Sequence, residues 1–226
     1  GVNLSFQKDV SFVVYGGISL DGTKDNPIII DTPSSFGVFA AVGNKTSTAN
    51  INYLHLSGGS EDFINGSYYS GALSLYRHGN VIISNSIISN NLGEDGLNIK
   101  SSKVLLKNNI FLSNYSDQVD LDNTTGHVAD NDFSVNKENS SNGDGLDLSG
   151  SKISIQGNKF NNFKDKGISV GEESISVIYE NMFSNNENGM AIKDSSKVFL
   201  KENTFKNNEV DINMYVKKYI FNDPIL

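Results

Sequence analysis

The sequence predicts an all-β chain wound as a single-stranded parallel β-helix, with about eight coils of ~22 residues between N- and C-terminal caps. Three observations predict it. First, short apolar segments recur: "DGLNI" from Asp95, "DQVDL" from Asp117, "DGLDL" from Asp144, "KGISV" from Lys166, "NGMAI" from Asn188 and "VDINM" from Val210. Their spacings are 22, 27, 22, 22 and 22 residues. Second, Ile88, Phe111, Phe133, Phe160, Phe183 and Phe205 form another ladder on the same ruler. Asn109, Asn131, Asn158, Asn181 and Asn203 precede those phenylalanines by two residues. Third, 21 glycines against 3 prolines, with abundant Asn and Ser, favour strands and turns over helices.

Taken in order, residues 1–70 repeat weakly. "VSFVVYGGISL", "NPIIID", "FGVFAAV" and "NINYLHLSG" each read as a strand, giving two or three irregular coils and an N-terminal cap. Tyr68 and Tyr69 precede the first clear coil and fit the cap. "GALSL" from Gly71 opens the regular coils, 24 residues before "DGLNI". Within each coil the apolar residues alternate, as in Leu97 and Ile99 or Leu146 and Leu148, so one face points inward. The 27-residue spacing places a five-residue insertion near 137–141. Regular coils run over 71–215. "YVKKYIFNDPIL" leaves the ruler, and 216–226 reads as the C-terminal cap, with Lys217 and Lys218 extended along it. No linker interrupts the chain, which reads as one domain over 1–226. Like residues should stack on like at ~4.8 Å, with Phe on Phe in the core and Asn on Asn in amide ladders.

The bulk composition excludes several functions. The net charge of −8 leaves nothing to neutralise phosphates, so nucleic acid is an improbable partner. There is no cysteine for a disulfide, a thiolate nucleophile or a Cys-based zinc site. No apolar run approaches ~18 residues, so no membrane span is expected. His55, His78 and His127 share no column, which argues against a histidine metal site.

The repeats resemble the right-handed parallel β-helix repeats of pectate lyases, polygalacturonases, alginate epimerases and NosD-type proteins. "SGALSLYRHGNVIISNS", "EDGLNIKSSKVLLKNNIF", "GDGLDLSGSKISIQ" and "GMAIKDSSKVFL" resemble more closely a bacterial β-helix domain found beside CotH-type or lamin-tail modules. The resemblance implies a right-handed helix, neighbouring domains in a longer protein, and an extracellular, cell-surface or periplasmic setting. It implies no activity. The Gly-His-Gly and Arg-Ile-Lys motifs of polygalacturonases are missing, as is the Asp-Pro-His-Asp of alginate epimerases.

Candidate chemistry lies in the outward columns. Between the inward positions of the first strand stand Ser74, Asn98, Asp120, Asp147, Ser169, Ala191 and Asn213. Two residues on stand Tyr76, Lys100, Asp122, Ser149, Gly171, Lys193 and Tyr215. Both columns are expected on one solvated face, with Asp120, Asp122 and Asp147 bordered by Asn98, Lys100, Tyr76 and Arg77. Stacking puts the Cα atoms of Asp120 and Asp147 ~4.8 Å apart, and those of Asp120 and Asp122 at ~6.6–7 Å. Those spacings suit the carboxyl pairs of glycosidases. They equally suit a Ca²⁺ held by Asp120, Asp122 and Asp147, or a plain solvated face with a Lys100–Asp122 ion pair. "DLDNTTG" is no EF-hand, since Thr125 and Asn131 stand where that loop needs Gly and Glu.

Asp95, Asp117 and Asp144 read instead as turn residues bonding to backbone N–H groups. Arg77 and His78 sit in a turn and read either as contacts to a uronate or as merely exposed, the second being favoured; Asn98, Asp122, Tyr76 and Arg77 are the candidate ligand-binding residues. The function expected is a carbohydrate-binding or structural module. The alternative is a polysaccharide lyase, hydrolase or epimerase using Asp120, Asp122, Asp147 and Lys100.

Overall fold

The computed structural model describes residues 1–32, 34–136 and 143–226, so the insertion near 137–141 falls outside the described residues. Among these there is no helix. Three parallel sheets of nine, nine and eight strands run the length of the molecule, plus one two-stranded hairpin. The first sheet extends from Asn3–Ser5 to Thr204–Lys206, the second from Phe12–Tyr15 to Val210–Tyr215, and the third from Ile18–Asp21 to Lys197–Lys201. Eight coils each contribute one strand to each sheet in turn, and a ninth rung adds a strand to the first and second sheets.

The register follows the repeat ruler. Leu73, Leu97, Val119, Leu146, Ile168, Met190 and Ile212 are successive partners in the second sheet. Residues before 70 join the same ladders, with Phe12 on Phe39 and Phe39 on Leu73. The interior is one apolar column that includes Ile88, Phe111, Phe133, Phe160 and Phe183, all fully buried. From Phe111 to Phe205 the rings stack at 4.7–5.1 Å between centroids. Flat rings repeating at the strand spacing fill the core without voids.

The asparagine column forms at the turn between the third and first sheets. Asn109 Nδ2 donates to Asn131 Oδ1, Asn131 to Asn158, Asn158 to Asn181 and Asn181 to Asn203, all at 2.9–3.0 Å. The same amides also donate to backbone oxygens, among them Ile83, Leu106, Val128 and Ile155. An amide has donors on one side and an acceptor on the other, so a stack of amides satisfies itself. The residue before each ladder asparagine sits in the left-handed region: Asn108, Asp130, Gly157, Glu180 and Glu202. Asn, Asp and Gly tolerate that conformation best.

Two additions cover the second sheet at its ends. The hairpin Asp62–Ile64 with Ser67–Tyr69 lies over its outward face. There Tyr69 stacks on Tyr76 at 5.3 Å, and Val38, Ala40 and Val42 are buried beneath in a small second core. At the other end the tail after Tyr215 crosses the last rung. Asp194 Oδ1 accepts from the backbone N–H groups of Lys217 and Lys218, and Ile225 pairs with Lys197.

Candidate functional site

The outward face of the second sheet collects the polar chemistry, and a local break in strand parity is what builds it. A Cβ on Gly145 would meet the rings of Phe160 and Phe163, so this residue faces the core. Leu146, its neighbour, is also fully buried in the core. Two consecutive residues therefore turn inward, and Gly167–Ile168 and Gly189–Met190 repeat the pattern. Glycine is needed here, because a Cβ at 145 would also stand 2.5 Å from the Gly167 carbonyl oxygen. The consequence is that Asp144, which strict alternation would point inward, faces outward like Asp147.

The sequence reading of Asp117 and Asp144 as turn residues bonding to backbone N–H groups holds in part, but their carboxylates also meet that of Asp147. One carboxylate oxygen from each of Asp117, Asp144 and Asp147 lies within 4.8 Å of the others. The Asp144 N–H donates to Asp117 Oδ1 at 2.7 Å, so part of the turn bonding is real. Lys166 Nζ lies 3.1 Å from Asp144 Oδ1 and also pairs with Asp165. Lys166 and the three aspartates span three rungs, and only Asp147 among them was singled out by the sequence columns. Repeated D-G and K-G pairs just before the strands were the signal available.

Asp120 stacks on Asp147 as expected, with Asn98 above and Ser169 below in the same register. Asn98 Nδ2 donates to Asp120 Oδ2 at 2.9 Å and reaches Asp122 Oδ2 at 3.4 Å. Lys100 pairs with Asp122 at 3.1 Å and lies 5.6 Å over the Tyr76 ring. Asp122 thus belongs to the Lys100 rim, and the close trio of carboxylates has Asp117 and Asp144 beside Asp147 in place of the expected Asp120 and Asp122.

The expectation of a solvated face is also corrected. Ser74, Asn98 and Ser169 are 0% exposed, Asp95 2% and Asp144 6%. Asp117, Asp120, Asp122 and Asp147 are half-buried. Tyr76 is 8% exposed, because Tyr69 of the hairpin covers it. Arg77 is exposed in the left-handed conformation. His78, expected at the surface, is buried with Nε2 3.2 Å from the Ala41 carbonyl oxygen.

Burial raises the carboxyl groups here, because a low-dielectric setting disfavours charge. It pushes Asp95 up to about 7. It pushes Asp144 to about 7 as well, with Lys166 pulling the other way. Asp117 is raised by burial and then by the Asp144 charge, and Asp120 by burial and then by Asp95 and Asp122. Burial alone would lower the Lys166 ammonium, but Asp144 and Asp165 outweigh it and raise it.

Unpartnered oxygens concentrate on this face. Nine buried side-chain N or O atoms among the described residues lack a hydrogen-bond partner. Five of them are Asp95 Oδ2, Asn98 Oδ1, Asp120 Oδ1, Asp147 Oδ1 and Ser169 Oγ. Two shallow pockets border the face. One of ≈ 360 Å³ is lined by Tyr68, Tyr69, Tyr76, Arg77 and Lys100 among others. The second, of ≈ 310 Å³, includes Asp122, Asn123, Ser149, Glu172, Glu173 and Phe221.

Residues 16–215 match the family described as "Right handed beta helix region". The chain belongs to that family. This β-helix is also similar to solved structures. A mutant of the periplasmic alginate epimerase AlgG matches 88% of the chain and 49% of its own, at 17% identity and a TM-score of 0.50. A second AlgG mutant matches 94% and 48%, at 17% identity and 0.48. The enzymatically active domain of tailspike protein 2 of bacteriophage CBA120 matches 99% and 41%, at 14% identity and 0.45. The β-helix spans about half of those chains or less, and at such identities the likeness is one of fold. No curated protein sequence matches it.

Proposed function

We propose that this β-helix is an extracellular, cell-surface or periplasmic module that binds a carbohydrate polymer along the outward face of its second sheet. One observation carries the reading: five buried oxygens on that face have no hydrogen-bond partner. Buried acceptors without donors are costly, and a native face that keeps them is arranged for a ligand that supplies donors. Sugar rings carry several closely spaced O–H groups. From Tyr76 through Lys100, Asp122 and Ser149 to Gly171 the edge of this face crosses five rungs, ~19 Å at the strand spacing. Tyr68 and Arg77 at one end offer an exposed ring and a cation. The alginate epimerase of like fold acts on a carbohydrate polymer, and the same ligand class is proposed here. The resemblance to modules found beside CotH-type and lamin-tail domains fits display on a longer chain.

A second reading, turnover through Asp120, Asp122, Asp147 and Lys100, is favoured by one observation. Burial raises the Asp120 carboxyl above the usual carboxylate range while Asn98 orients it, which suits a general acid. Glycan-array binding and product assays on uronans and neutral glycans separate the two. Binding without turnover, lost in Asp120→Asn and Asp147→Asn, is the expected result. Turnover lost in the same variants assigns the second reading. Neither binding nor turnover across the panel sinks both.

A further inference from the structure

We propose that the cleft between Asp117, Asp144 and Asp147 holds a divalent cation of calcium's kind. The three carboxylates supply only oxygen, the donor set that hard cations take. Their oxygens lie within 4.8 Å of one another. Ligands at ~2.3–2.6 Å from one calcium ion are at most ~4.6–5.2 Å apart, so a single ion reaches all three without rebuilding the backbone. The Asp144 N–H bond to Asp117 Oδ1 fixes that carboxylate in place beforehand.

The flanking neutral groups point to the same occupant. Asn98 and Ser169 are 0% exposed, and Asn98 Oδ1 and Ser169 Oγ have no partner. Neither is an acid, so repulsion among carboxylates does not account for them. Ser169 is the register partner of Asp147 one rung on, and Asn98 stands in the same column beyond Asp120. Ser169, one rung beyond Asp147, offers the ion's shell an uncharged oxygen, and Asn98 Oδ1 continues the unpartnered column on the far side of Asp120. The fixed cations nearby leave charge over. Lys100 is engaged with Asp122, and Lys166 is shared between Asp144 and Asp165. Since Lys166 has Asp165, it keeps a partner when an ion takes Asp144. Asp165 adds further negative charge beside Asp144.

The site concerns the same face as the proposed glycan but does not depend on it. The test uses calcium alone: the chain is freed of divalent ions with a chelator, then titrated with calcium chloride at neutral pH by calorimetry. One ion per chain is expected, with a dissociation constant at or below about 1 mM. Magnesium should bind more weakly, because it demands near-ideal octahedral geometry and sheds water reluctantly. Asp147→Asn and Asp117→Asn should weaken calcium binding about tenfold or more, as loss of a ligand charge does. Ser169→Ala, a small change in a fully buried wall, should weaken it severalfold with the fold intact. Asp122→Asn, outside the trio, should leave it unchanged. Absence of saturable calcium binding overturns the assignment, as does equal binding by wild type, Asp147→Asn and Ser169→Ala. Because no glycan is present, failure here leaves the glycan proposal standing, and failure of the glycan assay leaves this one.

Discussion

The asparagine corner and the aspartate face are made by one device, the stacking of like residues on successive rungs, yet they end in opposite states. At the corner, Asn131 Nδ2 reaches Asn158 Oδ1 and the Leu106 carbonyl, while its own Oδ1 accepts from Asn109. On the face, Asp120 over Asp147 leaves Oδ1 of each without a partner. The difference is one of donor count. An amide carries both donors and an acceptor, and a carboxylate only acceptors unless protonated. A repeat scaffold therefore stabilises itself where it stacks asparagine. Where it stacks aspartate, it waits for protons, cations or sugar hydroxyls.

The comparison can be broken most strongly at the corner. Asn131→Asp removes donors to Leu106, Ala129 and Asn158 and buries a charge. A loss of at least about 3 kcal/mol in urea unfolding is expected. A change below about 1 kcal/mol would mean the ladder contributes little.

Next comes pH. Asp95 and Asp144 titrate at about 7 in the folded chain, against ~3.9 unfolded. The folded state then binds more protons than the unfolded one between those values, so stability falls as pH rises through that window. In chelator-treated protein the unfolding midpoint should drop from pH 4 toward 7 and level off above it. A midpoint that instead rises with pH would contradict the burial of these groups. The ladder asparagines themselves carry no titratable group and should not contribute.

Smaller is the effect of Asp120→Asn, which replaces an acceptor-only group by one that can continue the amide bonding begun by Asn98. In calcium-free buffer above neutral pH it should stabilise the chain by about 1 kcal/mol while weakening ligand binding, a trade of stability against function. Destabilisation there would show that the carboxylate already has a partner. Smallest is Asp122→Ala at the rim, where the partly exposed Lys100 pair is worth about 0.5 kcal/mol or less by thermal unfolding.

Much of the fold is legible in the residues because stacking makes the period visible. Phe111, Phe133 and Phe160 recur with Asn109, Asn131 and Asn158 on one ruler, and both columns stack as that ruler requires. The face was legible in part. Asp120 over Asp147, Asn98 beside them and the Lys100–Asp122 pair follow from counting residues along strands. Asp144 and Asp117 were not legible as partners of Asp147, since period-2 counting breaks where Gly145 and Leu146 both turn inward. His78 and Tyr76 were misjudged for a related reason. What covers them, the Tyr69 hairpin over Tyr76 and the Ala41 carbonyl beside His78, comes from other parts of the chain.

By itself, then, the sequence determined the coil length, the identity of the stacked columns and the number of carboxylates on offer. These depend only on the repeat, which is local. The tertiary structure alone decided which oxygens would meet and which would be left without a donor. That outcome depends on side-chain direction at the strand entry and on segments from distant rungs. Asp117 and Asp144 are 27 residues apart in the chain, and Lys166 lies 22 further on. Only winding the chain brings Asp144 within reach of both Asp117 and Lys166 and sets Asp147 beside Asp117.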